Sequence, residues 1–351
     1  MSTIHLYYRQ TIASMILSII IPVYNGEKTI GRCLDSIFSQ GLNNNDFEVI
    51  CVDDCSTHTS SIDVIEDYQY NGVHPSNLVL IKHLVNKRQG AARNTGIRNA
   101  KGKWILFIDC DDFFLDQSLI KLHNYSTIND GLDIIAFDYV VGTGNEIISR
   151  SHHKSNSTQF MSGVEYHIKQ RSPSMPQELM YNKTFLLSNN LFFIENVRFE
   201  DLDFLLKAII VAKKVVYLPI EAFYYVKHEG QTTDIGADKV KIRELFQMCN
   251  RVAYLSIDFA EKYKENSKIL LAHSGEARMT FMKRDMWKLP FKERLDVLRE
   301  VRLPFRTGNK YADFTSIHPL ATCIVLSFLN QPIVNLSIRI KSFLKKVKTN
   351  K

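Results

Sequence analysis

Three carboxylates crowd the end of one apolar run. Residues 103–112 read KWILFIDCDD, so Asp109, Asp111 and Asp112 follow directly on Ile108. An apolar stretch of this length is what a strand buried on both faces requires. Acids packed at its exit repel one another and lose solvation, and a cation among them relieves both penalties. In open α/β sheets, ligands bind beyond the carboxyl ends of the strands. The segment therefore points to a divalent metal, Mn²⁺ or Mg²⁺, gripping a phosphorylated molecule. The plainer alternative is a solvated acidic turn after a core strand.

A second apolar run also ends in acids. FEVICVDDCS places Asp53 and Asp54 at its exit, where a carboxylate can accept hydrogen bonds from ribose hydroxyls or base N–H groups. Ser56 and Thr57 follow and a helix comes next, so a turn or N-cap residue is the competing role. The first run leaves through PVYNGE, bringing Tyr24, Asn25 and Glu27 to the same edge. NKRQGAARNTG then offers small residues, which allow a backbone to approach a ligand closely, followed by Arg93, a candidate phosphate partner. Further on, VRFEDLDFLLKA carries Glu200, Asp201 and Asp203 at a helix start. Acids there complement the helix dipole, and one of them is placed to act as a general base. YYVKHEGQTT adds Lys227 and His228, the latter a candidate ligand for metal or phosphate. Neither GxxxxGK[ST] nor GxGxxG occurs, which removes support for triphosphate hydrolysis and dinucleotide redox chemistry.

The elements that must position these groups alternate. Strands are expected at Leu17–Val23, Phe47–Val52, Leu78–Lys82, Trp104–Ile108 and Asp133–Val141, with helices at Lys28–Gln40, Ser61–Tyr70 and Gly90–Asn99 between them. That order predicts an α/β fold with a doubly wound, largely parallel sheet. Residues 142–160 read as a loop or weak hairpin, with His152 and His153 as solvated loop residues. Lys183–Asn190 and Leu202–Ala212 read as helices, and Val215–Leu218 as a strand closed by Pro219. From about Ala237 helical periodicity takes over, with Leu245, Met248, Val252, Leu255 and Phe259 as its apolar positions. The expected organisation is an extension at 1–15, a main domain at 16–235 and a helical region at 236–351.

The composition is that of an ordinary globular chain, with 351 residues, 45% hydrophobic and 23% charged. Of the net charge of +7, six units lie in residues 331–351. The rest is near neutral, so nucleic acid is not an expected partner. Six cysteines without C-x-x-C or zinc spacing suggest a reducing compartment and a cytoplasmic location. MILSIIIPVY at 15–24 is far too short to span a bilayer, and the chain before Met15 reads as dispensable. Residues 320–344 are apolar but broken by Asn330, Gln331 and Pro332, and lysines follow. An interfacial helix at the inner face of the cell membrane and a helix packed on the body fit this tail equally.

Read in order, LSIIIPVYNGEKTIGRCLDSIFSQ, FEVICVDDCS, NKRQGAARNTGIRNAKGKWILFIDCDD, FEDLDF and YYVKHEGQTT resemble the family 2 glycosyltransferases of GT-A fold. The resemblance spans about residues 16–235. It implies a Rossmann-like nucleotide-binding half joined to an acceptor-binding half. It also implies inverting transfer of a sugar from a nucleotide-diphosphate donor, usually UDP-linked, to a hydroxyl of a saccharide or lipid-linked glycan. By the same resemblance, Asp109-Cys110-Asp111 is similar to the DxD motif. Asp111 is then the principal metal ligand, and Asp109 contacts the metal or the ribose. Asp54, with Asp53, looks like the uracil-binding acid, and Pro22, Tyr24 and Glu27 line the nucleotide pocket. Asp201 looks like the catalytic base, with Glu200 beside it. The Q-x-x-R-W motif and multiple membrane spans of processive synthases are missing, which implies one sugar per encounter. The family's arginine near the last motif is replaced by Lys227–His228. A polyprenyl-phosphate glycosyltransferase, a silent nucleotide-sugar-binding module and a nucleotidyltransferase are the rival readings.

Overall fold

The computed structural model describes residues 15–70, 77–151, 158–170, 173–229, 231, 238–271, 286–300 and 318–328. Two compact units divide at His228/Glu229. The extension before residue 15, His152, His153 and the basic tail from 329 onward lie outside the described residues.

In the first unit nine strands form one sheet, in the order β3-β2-β1-β4-β8-β6-β9-β5, with β7 paired to β6. The strands are β1 Leu17–Val23, β2 Phe47–Asp53, β3 Leu78–Lys82, β4 Trp104–Phe107, β5 Phe113–Phe114, β6 Ile134–Gly142, β7 Ile147–Arg150, β8 Leu179–Asn182 and β9 Val215–Val226. β1, β2 and β4 are buried along their whole length, as their unbroken apolar sequences demand. β1 pairs in parallel with β2 (Val23 opposite Asp53) and with β4 (Ile20 opposite Phe107). Their three exits therefore open on one edge.

The other half of the sheet is mixed. β8 is antiparallel to both β4 and β6, while β6 and β9 are parallel. The largely parallel sheet expected from strand–helix alternation holds for β1 to β4 and gives way beyond them. β9 does not stop at Pro219. Its register with β6 jumps from Ala136↔Tyr217 to Asp138↔Glu221, so the proline falls in a bulge that needs no N–H from it. The weak hairpin is real, made by β6 and β7.

Helices cover both faces. On one side lie α1 (Ile30–Phe38), α2 (Ser60–Tyr70) and α4 (Ser118–Ile128), through Ile30, Cys33, Leu34, Ile37, Ile65, Leu119 and Leu122. On the other lie α3 (Arg88–Asn99), α5 (Gly163–Lys169), α6 (Lys183–Ser188) and α7 (Glu200–Val211), through Ala92, Ile97, Tyr166, Phe185, Leu186, Phe204, Leu205, Ala208 and Ile209. Glycine is required where α3 meets the sheet. A Cβ on Gly96 would come within 2.3 Å of Ile20 Cγ2, and one on Gly90 within 2.6 Å of the Ile194 carbonyl oxygen. This close seating brings Arg93 over the strand exits.

The second unit is helical. In α8 (Lys239–Lys262) the apolar stripe runs through Ile242, Leu245, Phe246, Cys249, Ala253 and Ala260, with Asp238 capping the start. Val252, Leu255 and Phe259 lie at its half-buried margins. Buried Arg294 of α9 (Phe291–Glu300) donates to the carbonyls of Leu289 and Cys323, which ties α9 to α10 (Pro319–Phe328). Among the described residues, no helix is long and apolar enough to cross a membrane.

Candidate active site

The acids at the β4 exit converge. Asp109, Asp111 and Asp112 each bring a carboxylate oxygen within 4.8 Å of the others. Asp112 is fully buried. Its Oδ1 accepts the Val226 N–H at 2.9 Å, while its Oδ2 is buried with no partner. Burial, Asp111 and then Asp109 push the Asp112 carboxyl well above the usual range. Asp111 is more open, and its Oδ2 lies 2.8 Å from His228 Nε2. Arg32 donates to the Asp111 backbone carbonyl at 2.6 Å, which pins the turn from the α1 side.

Three oxygens at short mutual range, one of them buried and unpartnered, with an imidazole alongside, fit a hard divalent cation of the Mg²⁺ or Mn²⁺ kind. Asp111, Asp112 and His228 are the groups of suitable chemistry gathered there.

Asp109 is braced instead. Its Oδ1 accepts from Arg93 Nη2 at 2.8 Å and its Oδ2 from Gln177 Nε2 at 2.5 Å. Burial raises its pKa, Arg93 opposes the shift, and Asp111 adds to it. Arg93 is not an exposed helical arginine: it is 2% accessible. Its guanidinium also donates to Glu200 Oε1 and to Gln89 Oε1, each at 2.8 Å, and its positive end sits 5.4 Å from the Phe193 ring centre. The expected phosphate partner is thus engaged by protein carboxylates.

Through Arg93 the β4 exit is joined to the first turn of α7. That helix opens after Phe199, a non-glycine residue at φ 62°, a conformation that usually signals an imposed local constraint. Burial raises Glu200, with Arg93 opposing. Burial and then the Glu200 carboxylate push Asp201 up to about 7. Asp203 is turned away, buried and paired with Lys207 at 2.6 Å.

At the β2 exit both acids bond to the chain itself. Asp53 accepts from the Ser56 hydroxyl at 2.5 Å and the Ser56 N–H at 3.1 Å. Asp54 accepts the Lys87 N–H at both oxygens, 2.9 and 3.1 Å, and lies 2.7 Å from His83 Nδ1. The turn reading therefore fits Asp53, whose partner Ser56 lies before α2 begins at Ser60, and Asp54 fastens the loop that leads into α3. Pro22 is buried in β1, Tyr24 stands 48% exposed beyond it, and Glu27 accepts from Ser61 at 3.3 Å. Asn25 and Cys55, at φ 52° and 61°, bend the chain at these two exits.

Sequence reasoning missed Gln177 and Gln89. Gln89 sits one turn before Arg93, so i,i+4 spacing was its available signal. Gln177 had none, because only the antiparallel return of β8 brings it to β4.

The family 2 glycosyl transferase model matches residues 18–191. That stretch is a family 2 glycosyltransferase domain. Among curated proteins, the chain is 33% identical over 225 residues to a poly(ribitol-phosphate) beta-glucosyltransferase of Bacillus spizizenii, covering 63% of this chain and 34% of that one. It is 26% identical over 283 residues to the poly(ribitol-phosphate) beta-N-acetylglucosaminyltransferase TarS of Staphylococcus aureus, covering 79% and 47%. The chain thus spans a third to a half of the length of these relatives. The crystal structure of S. aureus TarS 1–349 superposes with a TM-score of 0.67 at 20% identity, covering 88% of this chain and 90% of that one. The GT-A fold of the first unit follows from that superposition.

Proposed function

We propose that the chain is an inverting, non-processive glycosyltransferase. It moves a sugar from a UDP-linked donor to a hydroxyl of a surface glycan or polyol-phosphate polymer. The observation that carries this reading is the Arg93 bridge, which joins Asp109 of the β4 exit to Glu200, the neighbour of Asp201 with its raised carboxyl. Both named relatives make β-linked products. An attack from the face opposite UDP on an α-linked donor gives that stereochemistry.

The geometry supports the following roles. Asp201 takes the proton of the acceptor hydroxyl as its oxygen bonds to the anomeric carbon, and the bond from that carbon to the UDP oxygen breaks. A positioned base contributes on the order of 10²–10⁴-fold. An Asp pushed to about 7 is a suitable one, because near neutral pH much of it is ionised and yet it is more basic than an ordinary carboxylate. Glu200 is fixed beside it by Arg93. Asp111, Asp112 and His228 would hold Mn²⁺ or Mg²⁺, which when bound offsets charge on the diphosphate leaving group. Tyr24, Pro22 and Glu27 form the nucleotide's side of the site, and Asp53 and Asp54 shape that edge by fixing its loops. We assign residues 16–235 to catalysis and 236–351 to a helical accessory region, acting in the cytoplasm at the inner face of the membrane. The braced carboxylates favour an enzyme over a silent binding module, and the acid at α7 favours a hydroxyl acceptor over a phosphate, which needs no base.

Thermal shifts with UDP-glucose, UDP-N-acetylglucosamine and GDP-mannose, each with and without Mn²⁺, identify the donor. Transfer of the stabilising sugar onto poly(ribitol phosphate) and lipid-linked glycans then identifies the acceptor. Cation-dependent stabilisation by a UDP-sugar with UDP release is expected; no shift with any nucleotide sugar overturns the proposal.

A further inference from the structure

We infer that Gln177 is a positioning residue for glycosyl transfer: with Arg93 it clamps the Asp109 carboxylate from two sides and fixes its orientation next to the donor. This rests on the function proposed above. Gln177 lies in a single turn at Pro176–Glu178, just before β8. Antiparallel pairing of Leu106 with Met180 carries that turn alongside the β4 exit. There it is 2% accessible, and its amide Nε2 donates to Asp109 Oδ2 at 2.5 Å. Arg93, from α3 on the nucleotide-binding half, donates to the other oxygen at 2.8 Å. A carboxylate with a fixed donor on each oxygen cannot turn about its last torsion. Asp111 and Asp112 have no such pair of side-chain donors among the described bonds.

A stability role does not account for this glutamine. Its Oε1 is buried without a partner, as is Arg93 Nε beside the same carboxylate. Each such orphan costs on the order of 1–3 kcal/mol. A methionine would fill the same space without that cost. Nor does Gln177 hold its own segment together. Glu178 does so, accepting from the Ser174 N–H and hydroxyl at 2.8 Å each. What only Gln177 supplies is the N–H aimed at Asp109. The chain of contacts then runs Gln177–Asp109–Arg93–Glu200, from the turn before β8 to the residue preceding the base.

Two variants test this. Q177M keeps the volume and removes the donor. Q177E keeps the shape and sets a carboxylate against Asp109. Initial rates are measured with donor and acceptor varied separately, alongside the melting temperature. Q177M is expected to melt within a few degrees of wild type, with kcat/KM for the donor down about 10–100-fold, the range for loss of an outer-shell partner. The acceptor KM should stay within about twofold, since Gln177 touches only the donor side, and Q177E should lose more than Q177M. Wild-type kinetics in either variant overturns the inference. So does a loss that raises both KM values equally and tracks a fall in melting temperature. An inactive wild type that binds no nucleotide sugar overturns instead the reading beneath it, and this inference with it.

Discussion

Two strand exits in this molecule end in neighbouring acids, and they are used in opposite ways. At the end of β2, Asp53 and Asp54 meet donors from two loops: Ser56 of the loop that follows, and Lys87 and His83 of the loop after β3, satisfy their oxygens. At the end of β4 the acids face one another, and Asp112 keeps a buried oxygen that nothing satisfies. The first exit is complete as folded. The second carries repulsion and desolvation that only an added cation or a proton relieves. Strand-end acids are therefore informative through what surrounds them: donors in the following loop mark structure, and donors withheld mark a site.

The comparison is sharpened most at the residue that the β4 cluster serves. Asp201→Asn should cut transfer by about 10²–10⁴-fold while UDP binding with Mn²⁺ is retained. Transfer assays paired with UDP titration check this, and near-full turnover would remove Asp201 as the base. Next in size is Asp111→Ala. With one cluster oxygen and the contact to His228 gone, cation-dependent UDP affinity should fall about tenfold or more. Unchanged affinity in the presence of Mn²⁺ would return the cluster to a plain acidic turn.

A pH profile reads the same contrast more finely. Asp201 works as a base only when ionised, and burial with Glu200 beside it places that change at about 7. Donor-saturated turnover should climb with pH and level off above about 7. The stability contribution runs the other way. A carboxyl raised from about 3.9 when unfolded favours the fold fully below that value, and the contribution fades as pH rises through the folded value. Melting scans of wild type against Asp201→Asn across pH 4–8 should converge near pH 4, separate progressively up to about 7 and then run parallel, with wild type the less stable.

Much of this was legible in the chain. Unbroken apolar runs marked β1, β2 and β4, and alternation with helices put their exits on one edge, which gathered Tyr24, Asp53, Asp54, Asp109 and Asp111. Ser56 after Asp53 announced the local turn that the structure shows. What could not be read depends on contacts distant in sequence. Arg93 read as a candidate phosphate partner because its carboxylate partners lie 16 and 107 residues away. Gln177 reaches Asp109 only because β8 runs antiparallel to β4, and a four-residue strand at Leu179–Asn182 leaves little periodicity to detect. β9 was cut short at Pro219 because a proline argues against a ladder, and the bulge that tolerates it is a property of β6 as well.

The smallest effect, and the most direct attack on the contrast, is at Asp54. Its carboxylate holds the Lys87 N–H and His83, and His83 in turn lies 2.9 Å from Thr95 of α3. Asp54→Ala removes the acceptor of the Lys87 N–H and the contact to His83, at about 0.5–1.5 kcal/mol for each bond lost. The melting temperature should therefore drop by several degrees. UDP affinity should weaken only as far as α3 and its Arg93 shift, by less than the loss in Asp111→Ala. Should Asp54→Ala instead melt like wild type and lose UDP binding altogether, the β2 exit is a ligand site too. The distinction between satisfied and withheld donors then fails as a guide to which strand-end acids do chemistry.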